Sequence, residues 1–135
     1  MEKVFVDTSA WVALFVANDI HHKRATAIYG TLQDHKSLLY TSDYVVDETI
    51  TTILARGGHK QSVLAGQALF ASNIVKIVPV TPTYLDATWA LYQKYTDKKL
   101  SFTDVSSLSI MKEMGIPKAF AFDRELSQTG IELIR

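Results

Sequence analysis

Residues 4–9 read Val4-Phe5-Val6-Asp7-Thr8-Ser9, an apolar run that stops at an acid and two hydroxyls. Its β-branched and aromatic neighbours predict a short strand over residues 2–6. A strand apolar on both sides belongs in a parallel sheet covered by helices on both faces. Asp7-Thr8-Ser9 then marks a strand-to-helix turn. From about Ser9, Trp11, Leu14 and Phe15 recur at i, i+3, i+4, which predicts a helix.

The same alternation continues outward from this stretch. A helix is predicted over 22–32, with Ala25, Ile28 and Tyr29 on its apolar face. Leu38-Leu39-Tyr40 predicts a second strand. Thr41-Ser42-Asp43 offers N-cap chemistry for a third helix, whose predicted stripe is Val45, Val46, Ile50, Ile53 and Leu54. Gly57-Gly58 ends that helix, and another covers roughly 59–72. A third strand is predicted over 74–78. Thr81-Pro82 opens a helix that aligns Leu85, Trp89 and Tyr92. The next helix begins near Asp104, carries Val105, Leu108, Met111 and Met114, and stops at Gly115. Residues 118–122 form the fourth strand, a helical turn follows from Asp123, and 131–134 form the last strand. Strands alternating with helices predict an α/β fold with a mostly parallel sheet. Such sheets bind ligands beyond the carboxyl ends of their strands, where strand order reverses. Asp7 and Asp123 each follow directly on a strand.

With 135 residues the chain predicts one domain, residues 1–135, large enough to bury its own core. A hydrophobic share of 47% and a mean hydropathy of +0.07 exclude a largely disordered chain. The absence of cysteine excludes disulfides, thiol nucleophiles and thiolate-bound zinc, and suits a reducing cytoplasm. No apolar run approaches the roughly 20 residues of a membrane span. Met1-Glu2-Lys3-Val4 leads straight into the first strand without an export signal, so the expectation is a cytoplasmic protein. Net charge is zero and the pI about 6.9, which argues against a strongly basic general nucleic-acid binder. Basic groups gather at His21-His22-Lys23-Arg24, at Arg56 with His59-Lys60, and at Lys98-Lys99; each cluster also reads as solvated surface charge.

Four acids stand where oxygen ligands for a cation would be wanted: Asp7, Glu48, Asp104 and Asp123. Each alone has an ordinary explanation. Asp7 and Asp123 can cap the turns that follow them. Ser101-Phe102-Thr103-Asp104 fits a capping box. Glu48 sits in the first two turns of its helix, where an acid favours the helix dipole, although Asp43 and Asp47 could serve there equally. Gathered in one pocket, four carboxylates could not stay ionised without a counter-charge. Carboxylate oxygens without His or Cys favour Mg²⁺ or Mn²⁺ over Zn²⁺.

With those residues in hand, the chain resembles PIN-domain proteins, specifically the small single-domain VapC type. The resemblance rests on Val4-Phe5-Val6-Asp7-Thr8-Ser9, on Glu48 within Thr41-Ser42-Asp43-Tyr44-Val45-Val46-Asp47-Glu48, on Leu100-Ser101-Phe102-Thr103-Asp104, and on Ala121-Phe122-Asp123-Arg124. It spans essentially the whole chain in order and spacing. It implies a three-layer α/β/α sandwich around a parallel five-stranded sheet of order 3-2-1-4-5. It also implies Mg²⁺- or Mn²⁺-dependent hydrolysis of RNA to 5′-phosphate and 3′-hydroxyl products, and the role of toxin in a toxin–antitoxin pair. Asp7, Glu48, Asp104 and Asp123 match the family's metal-binding catalytic acids, and Thr8 and Ser9 match hydroxyls that support the site. The implied partners are an RNA substrate, a small antitoxin protein and a second copy in a homodimer.

Two other readings share these residues. One is a catalytically inactive RNA- or protein-binding module on the same fold. The other is a phosphoryl-transfer enzyme or receiver domain, but Ser9 occupies the position of the second Asp that aspartyl phosphatases carry, and no Gly-rich loop follows the first strand. A metal pair at His21-His22 is disfavoured because adjacent residues face different ways.

Overall fold

The computed structural model describes residues 1–96 and 99–135. The elements are β1 (Lys3–Val6), α1 (Thr8–Phe15), α2 (His22–Asp34), β2 (Leu38–Ser42), α3 (Asp43–Gly57), α4 (His59–Ala71), β3 (Val75–Val78), α5 (Pro82–Lys94), α6 (Phe102–Met114), β4 (Lys118–Phe120), a 3₁₀ turn (Arg124–Thr129) and β5 (Glu132–Ile134). The strands pair in the order β3-β2-β1-β4-β5. Every pairing is parallel.

That order follows from the chain path. From β1 through β2 to β3 the chain steps one way across the sheet. It then returns past β1 to β4. Right-handed crossovers therefore put α1 to α4 on one face and α5 and α6 on the other. The observed packing agrees: α1 touches α2 and α3, α3 touches α4, and α5 packs on α6. The switch point lies between β1 and β4; Asp7 follows directly on β1, whereas Asp123 comes three residues after the end of β4, as the cap of the 3₁₀ turn, and not directly on the strand as expected.

Val4, Phe5 and Val6 are fully buried, as a central strand requires, and they join Trp11, Phe120 and Ile110 in one core. Val12, Ile53 and Ala65 form a smaller cluster among α1, α3 and α4. The predicted punctuation is realised in detail. Ser42 Oγ accepts from Val45 N–H, Thr81 Oγ1 accepts from Tyr84 N–H ahead of Pro82, and Ser101 with Asp104 forms a capping box. Gly58 at φ 87° and Gly115 at φ 64° take the conformation that other residues resist.

Three expectations are revised. Residues 118–122 do not all stay in β4: pairing ends at Phe120, and Phe122 turns toward the site. Leu54 was expected in the buried stripe of α3 but is 49% exposed. The Leu85, Trp89 and Tyr92 stripe of α5 faces outward, with Trp89 57% exposed, and α5 buries only Thr88 completely. Its spacing is that of a core face, but α6 fills the position next to the sheet. Nearly all of α6 from Asp104 to Met111 is buried. Among the described residues no helix is long and apolar enough to cross a membrane.

Candidate active site

Beyond the carboxyl end of the sheet lies an open cleft of about 560 Å³, lined by Asp7, Glu48, Asp104 and Asp123 together. Thr8 and Ser9 line it too. Residues far apart in the chain reach this cleft because three helices start there and β1 and β4 end there side by side.

Each aspartate is held by one oxygen only. Asp7 caps α1: its Oδ2 accepts from Ser9 N–H at 3.2 Å and from Ser9 Oγ–H at 2.8 Å. Ser9 Oγ in turn accepts from Phe122 N–H at 2.9 Å, which ties the exit of β1 to the segment after β4. Asp104 Oδ2 accepts from Ser101 N–H at 3.1 Å. Asp123 Oδ1 accepts from Glu125 N–H at 3.0 Å. Capping and a role in the cleft therefore coexist in the same side chains. Glu48 projects from α3 into the cleft wall and is half-buried.

Asp7 Oδ1 is different in kind. It is buried and has no hydrogen-bond partner, and the same is true of Thr8 Oγ1 beside it. Such atoms are rare in folded proteins and call for an explanation. Burial, and then the negative charge of Asp104 with a smaller contribution from Glu48, pushes the Asp7 carboxyl up to about 7 against the hydrogen bonds from Ser9. The Asp104 carboxyl is also raised, first by burial and then by the charges of Asp123 and Glu48, with Ser101 opposing. Asp7 and Asp104 thus each respond to the charge of neighbouring acids in the cleft. Among the described residues, no three such side chains converge into a ready-made coordination cage; the like charges line the cleft instead of crowding one point. An all-oxygen set with an unsatisfied buried carboxylate oxygen suits a hard divalent cation such as Mg²⁺, which keeps several waters and needs few protein ligands.

The cleft also holds Asp19, Thr52 and Phe122, which sequence reasoning did not single out, together with one residue from each basic cluster. Arg56 Nη1 donates to Asp19 Oδ2 at 2.8 Å. Burial pushes Asp19 up, but the bonds from Arg56 and from His21 N–H outweigh it and hold the carboxyl below its usual range. His21, Lys99, Thr52 and Phe122 complete the wall. One member of each basic cluster thus lines the cleft, namely His21, Arg56 and Lys99; Lys98 lies outside the described residues. The local signal for Asp19 is an acid two residues before His21, whose N–H it accepts at 2.8 Å; nothing local marks Phe122. His22 faces elsewhere, with Nδ1 2.7 Å from Ala13 O.

Comparison with known proteins points the same way. The PIN domain family model matches residues 4–132. The 23S rRNA-specific endonuclease VapC20 of Mycobacterium tuberculosis is 33% identical over 132 residues, 98% of either chain. The crystal structure of that protein, described as a Sarcin-Ricin loop cleaving toxin, superposes with a TM-score of 0.85 over 95% of each chain. FitAcB from Neisseria gonorrhoeae has a TM-score of 0.68 at 15% identity, over 98% of this chain and 96% of its own, and shares the fold.

Proposed function

This chain belongs to the PIN-domain family, and from that premise we propose that it is a metal-dependent endoribonuclease of the VapC type, a toxin acting in the cytoplasm as a single domain. The observation that carries the proposal is Asp7 Oδ1, a buried carboxylate oxygen with no partner in a cleft lined by three further acids. Asp7, Glu48, Asp104 and Asp123 would hold one or two Mg²⁺ or Mn²⁺ ions. When bound, such an ion supplies a water acidified toward neutral pH and positive charge for the phosphate.

The protein's own residues position this chemistry. Ser9 holds Asp7 Oδ2 and leaves Oδ1 without a protein partner. The Ser101 backbone likewise holds one oxygen of Asp104, and the Glu125 backbone one oxygen of Asp123. Thr8, with its unpartnered hydroxyl, can orient a ligand water. Arg56 and Lys99 on the cleft wall supply positive charge for RNA phosphates. The relative's substrate, 23S rRNA, makes a structured ribosomal RNA loop the first substrate to try. A homodimer and a small antitoxin protein are the partners this assignment carries with it.

The test is cleavage of such a loop with Mg²⁺ or Mn²⁺ titrated in. Wild type should cut and leave 5′-phosphates, a chelator should stop it, and Asp7→Asn should lose at least about 100-fold in rate while keeping its fold. A folded Asp7→Asn protein with full activity would refute the assignment.

A further inference from the structure

Resting on the ribonuclease reading, we propose that His21 and Phe122 form a stacking platform for an unpaired base of the RNA, next to the phosphate held at the acids. The two rings lie 4.4 Å apart between centroids and within 2° of parallel, and both line the cleft. Phe122 immediately precedes Asp123, so the platform abuts the carboxylates.

Its support is unusually complete for a loop at a cleft mouth. Phe122 N–H is held by Ser9 Oγ, the same hydroxyl that fixes Asp7. The Phe122 ring rests edge-on against buried Phe120, with centroids 5.9 Å apart. His21 N–H is held by Asp19 Oδ1, and Arg56 grips the other oxygen of Asp19. Phe120 and His21 both engage Phe122, and His21, partly exposed on the cleft wall, is the ring assigned to extend the stack. Base–aromatic stacking is sequence-tolerant and needs unpaired nucleotides, because every base offers a π-face only when it is unstacked. The platform therefore selects loops over duplex at the cleavage point. Arg56 fastens the loop through Asp19 and itself lines the cleft.

The experiment uses a fluorescein-labelled RNA stem-loop and the Asp7→Asn protein, expected to leave the RNA uncut. Expected is a roughly tenfold weaker Kd by anisotropy for an added His21→Ala, and one within about twofold for His21→Phe. Loop nucleotides are then replaced by abasic residues one at a time. At one position the loss should match that of His21→Ala and vanish in the His21→Ala background. Equal weakening by His21→Ala and His21→Phe, abasic losses independent of His21, or no RNA binding at all would each overturn the platform. Binding with the expected pattern by a wild-type protein that cuts nothing in Mn²⁺ would sink the ribonuclease reading alone.

Discussion

At the scale of single residues, Asp7 is the cleft acid whose protonation burial shifts strongly. Burial, first, and the neighbouring carboxylates raise its pKa from 3.8 to about 7. In the metal-free protein the native state therefore binds this proton more tightly than the unfolded chain does. Stability falls as pH rises from about 4 to about 7, by up to about 4 kcal/mol from this group. Asp104, also raised, acts in the same direction. Thermal melts in chelator across that range should show Tm dropping with pH, and Asp7→Asn should flatten most of the slope. Ser9→Ala removes bonds to Asp7 and to Phe122 N–H together. The expected cost is about 1–3 kcal/mol of stability by chemical denaturation, with weaker divalent binding by calorimetry. Asp7 and Asp104 were legible as candidates in sequence because each follows a strand or opens a helix. Their unused oxygens were not, because hydrogen-bond satisfaction is a property of the folded neighbourhood.

At the scale of elements, the helix starts both build the site and stabilise the helices. Ser101→Ala removes the acceptor for Asp104 N–H but leaves the Ser101 backbone donor in place. It should destabilise the protein by about 1 kcal/mol, read from the midpoint of urea unfolding. Gly115→Ala forces an alanine into φ 64° at the end of α6, where space itself is open. A loss of about 1 kcal/mol is expected there too, from conformation alone. The capping signals were legible because they are local: Thr81-Pro82, Ser101 to Asp104 and Gly57-Gly58 each fix a boundary within a few residues. The face of α5 was not. Leu85, Trp89 and Tyr92 have core spacing, yet they remain exposed because α6 occupies the sheet side of that layer.

At the scale of the whole molecule, net charge is zero, and under the proposed function RNA binding draws on the cations that line the cleft, Arg56 and Lys99. The slope of log Kd against log salt should be shallow, about 0.7 for each phosphate engaged on a single strand. Arg56→Ala should reduce it by about that amount. Divalent binding should also raise global stability. At about 100 times its Kd, Mg²⁺ contributes roughly 2.7 kcal/mol, on the order of 10 °C in Tm. The shift should be absent in Asp7→Asn, as scanning calorimetry with and without metal would show.

The sequence by itself determined the alternation of strands and helices, most of their boundaries and the identity of the four acids. Each of these is set by short-range periodicity, capping or residue chemistry. Only the tertiary structure decided that the acids line one cleft, that Arg56, Lys99 and the His21–Phe122 pair join them, and that the α5 stripe faces out. Those relations bring together residues up to a whole chain apart, and their physical cause is the crossing of the chain from β3 back past β1 to β4.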